Sequence, residues 1–238
     1  MAELENWQVL RGLFPSGWEQ LGRSSGAVRR LRGFPSLEAL LRTLLMHVGC
    51  GWSLRETAVQ AKLAGIADVS DVTLLNRLRD SENWLRQLCQ QLWKDNGVEL
   101  QPGLHGRTVR LLDATVVKEP GQTGSQWRIH YSLRLPTLEC DCFDLTPTQG
   151  PNSAERFPAS AASTEQILEA YRLRWQVELT FKRLKSIAQI GHVPKHDDQS
   201  SRAWLYGKLF VALLSQKLAQ VGNTISPWGY LLPETAHS

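Results

Sequence analysis

The hydrophobic period of this 238-residue chain changes after Pro102 and Gly103, and that change limits the folds open to it. Up to about Asn96 apolar residues recur at helical spacing, in Leu37, Leu40, Leu41, Leu44 and Leu45 and again in Trp84, Leu85, Leu88 and Leu92. Beyond Gly103, residues 108–118 (TVRLLDATVVK), 126–135 and 138–146 read as three strands, with turns at Pro120/Gly121 and at Pro136. Strands joined by such short turns form an antiparallel meander. Residues 147–164 have loop composition. A helix is expected from Ser163 or Thr164 to Gly191, and another from about Ser201 to Gln220, stopped by Gly222. The expected fold class is α/β of the α+β kind. A helical domain would span residues 1–100, an α/β domain 104–222, and a tail 223–238.

Inside the helical part, Ser53-Leu-Arg-Glu56 reads as a capping box that starts a helix, Gly65 ends it, and residues 69–79 offer a second helix. This is a helix-turn-helix outline. As a DNA-binding module its second helix would present Ser70, Asp71, Thr73, Asn76 and Arg77, while Asp68, Asp71 and Asp80 oppose deep insertion into a groove.

Composition narrows the partners. The formal net charge of +4 and a pI near 9.0 are compatible with nucleic acid. Cys50, Cys89, Cys140 and Cys142 form no CxxC pair, so reduced thiols are expected. His105, His130, His192 and His196 are scattered, and the last two, at His-x3-His spacing, lack a nearby Glu or Cys set; packing or surface roles are expected for them. Trp127, Trp175 and Trp228 are better read as core than as base-stacking platforms. The apolar run Leu209 to Leu214 is far below the ~18 residues of a membrane span, and no basic segment precedes an apolar one at the N-terminus. A soluble, cytoplasmic protein with no membrane partner is expected.

Two positions carry candidate chemistry. Asp113 lies within the apolar strand LLDATVV, where a carboxylate needs the strand end, a partner or a metal. Tyr171, Arg174, Glu178 and Lys185 occupy about 60° of one helical arc at 100° per residue, a stripe roughly 21 Å long. One carboxylate is thereby set among Arg174, Lys182 and Lys185. A solvated ion-pair network is one reading, and a metal-liganding carboxylate flanked by phosphate-binding cations is the other. Trp175, Val177, Leu179, Phe181, Leu184 and Ile187 supply apolar surface for packing the same helix.

The Tyr-x2-Arg-x3-Glu-x6-Lys spacing resembles the signature of bacterial insertion-sequence transposases of the DDE type, insertion sequence family four. RLRG before the leucine-rich helix, SLRETA, the strand around Asp113, CFDLT, SRAWLYGKLFVALL and SPWGY are similar to further segments of that family. The resemblance implies a ribonuclease-H-like domain with Asp113 and Glu178 as catalytic metal ligands for Mg²⁺ or Mn²⁺. It also implies DNA phosphates held by Tyr171, Arg174, Lys182 and Lys185. The partner would be double-stranded DNA at the terminal repeats of the element, with a homodimer in a synaptic complex and a nucleoid association.

The family's second aspartate, at the end of a fourth strand, and the insertion that follows it have no counterpart here, because ERFPAS runs almost directly into AASTEQILEAYRLRW. An internally truncated ribonuclease-H-like domain lacking its fourth strand is therefore expected. Asp141 and Asp144, on a third strand read as an antiparallel neighbour of the first, are carboxylates between these blocks that could be proposed as substitutes. Strand transfer should suffer most. A repressor or poisoned subunit, and a remnant without function, are the competing expectations.

Overall fold

The computed structural model describes residues 2–28, 31–95, 109–118, 126–135, 139–148, 182, 193–194 and 197–223. Among them the order is α1 (Ala2–Gly12), α2 (Trp18–Ser24), α3 (Leu37–Cys50), α4 (Leu54–Leu63), α5 (Asp71–Asp80), α6 (Glu82–Asp95), β1 (Val109–Lys118), β2 (Gln126–Leu135), β3 (Glu139–Pro147) and α7 (Asp198–Asn223). A helical N-terminal region is followed by a small three-stranded antiparallel sheet, consistent with a truncated α/β domain of the ribonuclease-H-like kind. The expected helix from residues 163–164 to Gly191 lies outside the described residues except at Lys182, which is helical.

Helix α3 starts where Ser36 accepts a hydrogen bond from the Ala39 amide at 3.0 Å, and Leu37, Leu40, Leu41, Leu44 and Leu45 are all buried. Full burial of each such side chain contributes about 1.5–3 kcal/mol. Trp84, Leu85, Leu88 and Leu92 of α6 join the same core, as do Leu205, Leu209 and Phe210 of α7. Helix α7 crosses α3 closely, because a Cβ built on Gly207 would lie 3.1 Å from Val48 Cγ1. It begins three residues before the expected Ser201, since Asp197 Oδ1 accepts from the Ser200 amide at 2.9 Å and caps it. It also runs through Gly222 to Asn223.

The sheet order is β1-β2-β3, so β3 pairs with β2 and is not a neighbour of β1, which corrects the expected placement. Because directly opposed residues share a face, Asp113, Tyr131 and Phe143 lie on one side, with Thr115, Ile129 and Leu145 and then Val117 and Trp127 further along. Val117, Trp127, Ile129, Tyr131, Phe143 and Leu145 on that side all belong to the core. Phe143 packs on Tyr206 of α7 at 5.8 Å between ring centroids, and the Arg202 guanidinium covers Trp127 at 5.6 Å. A register shift opposite Ser132/Leu133 leaves Asp141 without a paired residue on β2.

Candidate catalytic strand and nucleic-acid interface

Asp113 is half-buried on the core-facing side of β1, where its Oδ1 accepts the Ala114 backbone N–H at 2.8 Å. The bond is local, so it orients the carboxylate without supplying a countercharge. Asp144 makes the same kind of bond, Oδ1 to the Leu145 amide at 2.9 Å, but sits opposite His130, which in turn faces Ala114. Asp144 therefore projects from the other face of the sheet, two strand spacings or roughly 10 Å from β1. Two carboxylates so placed cannot both lie within the ~2.1 Å that a magnesium ion demands of its ligands.

His130 is a packing residue: it is fully buried, and its Nε2 and the Thr146 hydroxyl are 2.8 Å apart. Trp127 is core, at 3% exposure. The four cysteines are free thiols. Tyr171, Arg174, Glu178 and Lys185 lie outside the described residues, as do Trp175, Trp228, His105, His192 and His196. Lys182 is described, helical and exposed.

Among the described residues no three His, Cys, Asp or Glu side chains come together as a metal site. Asp113 on its own, among the described residues, supplies too few ligands for a two-metal centre.

The helix pair forms as expected. Ser53 accepts from the Glu56 amide at 3.1 Å and Ser70 from the Thr73 amide at 3.2 Å, so Ser70 is the cap of α5 and the helix itself starts at Asp71. Asp71 and Asn76 are exposed and Thr73 and Arg77 half-buried. Two of the acidic groups that opposed DNA contact are offset, Asp68 by Lys62 at 2.9 Å and Asp80 by Arg77 at 3.6 Å.

A tie that sequence reasoning missed joins α5 to α7. The Arg79 guanidinium meets Asp197 through Nε to Oδ1 at 3.3 Å and Nη2 to Oδ2 at 2.9 Å. Burial pushes the Asp197 carboxyl up, yet the hydrogen bonds from Arg79 and Ser200 outweigh it and hold the group well below the usual carboxylate range. The residues are 118 apart in sequence, and no local pattern signals the pairing.

Comparison with known proteins bears on the same segments. The family model described as Transposase DDE domain matches residues 144–214, which include the Tyr171 to Lys185 stripe and exclude Asp113. The chain is 30% identical over 159 residues to the candidate transposase InsL for insertion sequence element IS186A of Escherichia coli K12, covering 66% of this chain and 43% of that protein. It is likewise 30% identical over 160 residues to the transposase for IS421 of Escherichia coli, again covering 66% of this chain and 43% of that protein. Over 60 residues it is 40% identical to the transposase for IS1151 of Clostridium perfringens, 25% of this chain and 13% of that protein. The chain thus spans less than half the length of the curated relatives it matches. No solved structure matches it.

Proposed function

This chain has a family-level resemblance to the DDE transposases of insertion sequences over part of their length, and on that premise we propose that it is a transposase homologue that binds double-stranded DNA and is impaired in strand transfer. The observation that carries the second half is the sheet geometry. If Asp113 on β1 is the first catalytic aspartate, as the family resemblance implies, Asp144 on the opposite face of the sheet does not replace the missing second one.

In this reading Asp113 and Glu178 are the residual carboxylates for Mg²⁺ or Mn²⁺. A divalent cation held there would supply Lewis-acid polarisation of a phosphoryl oxygen. The work of the chain's own residues is positioning: Tyr171, Arg174, Lys182 and Lys185 hold phosphates of the terminal repeats, and two chains synapse as a homodimer. Without the second aspartate the remaining carboxylates would hold divalent cations poorly, and strand transfer by a DNA 3′-hydroxyl would suffer most. Action in the cytoplasm at the nucleoid belongs to the same proposal.

A second reading, a repressor or poisoned subunit derived from a transposase, is supported by the same face separation, since DNA binding would survive a site that cannot turn over. The test is affinity for terminal-repeat duplex against random duplex at about 150 mM salt, where specific binding exceeds non-specific binding roughly a thousandfold or more. Equal affinity for both would remove the sequence-specific part of the proposal.

A further inference from the structure

A basin of about 880 Å³ lies where α5, α6, the start of α7 and the turn before α3 converge, and four of its lining side chains are Arg32, Arg77, Arg79 and Arg86. Among the described residues its two lining carboxylates are Asp80 and Glu82. Each is committed: Asp80 to Arg77 at 3.6 Å, and Glu82 to Arg202 of α7 through bonds of 2.7 and 3.2 Å. Arg79 is balanced and held in place by Asp197. Arg86 is exposed and donates from Nη2 to the neutral Asn83 Oδ1 at 2.9 Å, and Arg32 is exposed on its turn. Among the described residues the basin therefore has surplus positive charge, concentrated in Arg32 and Arg86.

That turn is built rather than loose. Gly33 has φ +78, and a Cβ there would lie 2.5 Å from Val69 Cγ1 and 3.2 Å from the Asp68 carbonyl oxygen. The close approach pins the Arg32 backbone against the α4–α5 connection. Guanidinium groups converging in a concave surface suit phosphate, because their planar forks donate paired hydrogen bonds and the low-dielectric walls concentrate the field. A nucleic-acid strand presents one such charge about every 3.4 Å of axis.

We propose that this basin is a binding site for the phosphodiester backbone of duplex DNA, built from residues other than those of the Tyr171–Lys185 stripe and formed where the helical region meets α7. The proposal rests on the DNA-binding reading above. It assigns Arg32 and Arg86 to phosphate contact, Arg79 to a scaffold role through Asp197, and no base readout to any of them.

The experiment measures affinity for a 30-base-pair duplex, about three helical turns, across a salt series, for the full chain and for Arg32→Gln/Arg86→Gln, with thermal melts showing that both fold. The variant is expected to bind at least tenfold more weakly at about 150 mM salt, equally for terminal-repeat and random duplexes, with the salt slope shallower by about 1.8 for two lost phosphate contacts. Arg32→Lys/Arg86→Lys should recover most of the slope, since charge is retained. An unchanged slope and affinity in the glutamine variant, while the parent chain binds, would overturn the basin and leave the DNA reading standing. Loss confined to the terminal-repeat duplex would also overturn it, by showing base readout. Failure of the parent chain to bind any duplex would sink both the reading and the basin.

Discussion

Asp113 and Asp144 stand on opposite faces of one three-stranded sheet, with β2 between their strands. Substitution separates their roles. Asp113→Asn is expected to weaken Mn²⁺ binding, followed by electron paramagnetic resonance, whereas Asp144→Asn leaves it within about twofold because its carboxylate cannot reach a cation beside β1. Equal losses in the two variants would place both in one site.

The Arg79–Asp197 pair makes stability depend on acid. The Asp197 carboxyl is depressed in the folded state, below its ordinary 3.8, so its contribution is complete above that value and is lost as pH falls through and below it. Asp197→Asn also removes charge from the cap of α7, and the combined cost near pH 7 is about 1–2 kcal/mol, given that both side chains are over a third exposed. Denaturant melts should show the gap between parent and variant narrowing from pH 6 to pH 3. A gap that widened toward acid would contradict this.

Gly33 and Gly26 provide an internal comparison. Both have positive φ, +78 and +81, but only Gly33 is crowded, since nothing lies within 4 Å of a Cβ on Gly26. Gly26→Ala should cost about 1 kcal/mol from backbone conformation, and Gly33→Ala roughly 2–4 kcal/mol because Val69 and the Asp68 carbonyl must also move. Urea midpoints that ranked the two in reverse would mean the turn before α3 is not pinned as described.

Lys208 lies in the core at 2% exposure, its Nζ 5.1 Å from the centre of the Trp204 ring. Burial lowers its pKa, so the unfolded chain binds the proton more tightly, and stability rises with pH toward 10.5 as the folded form sheds it. Lys208→Met keeps the volume without the charge and should melt no lower than the parent at pH 7, with its advantage shrinking by pH 10. A lower melting temperature for the variant at pH 7 would show that the cation over Trp204 outweighs its desolvation.

Much of this architecture was legible where the signal is local. The leucines of α3, the cap at Ser53 and the three strands follow from spacing and turn chemistry, and the strands agree with expectation to within one residue where they are described, whereas Ser70, read as part of the second helix, is its cap. What escaped is non-local. Nothing in the local sequence pairs Arg79 with Asp197 until the fold brings the two together, and Lys208 is a lone cation in an apolar run whose burial beside Trp204 only the packed helix reveals. The stripe from Tyr171 to Lys185 was conspicuous in the sequence for its spacing, and four of its five phosphate and metal candidates lie outside the described residues.

The measurement that bears most directly on the central claim follows binding and strand transfer together, on the terminal DNA of the encoding element with Mn²⁺, for the full chain beside Asp113→Asn and Glu178→Gln. Salt-dependent binding of the terminal repeats with no joined product in any of the three is the predicted result. Efficient strand transfer by the full chain, abolished in both variants, would contradict it and show that another carboxylate completes the site.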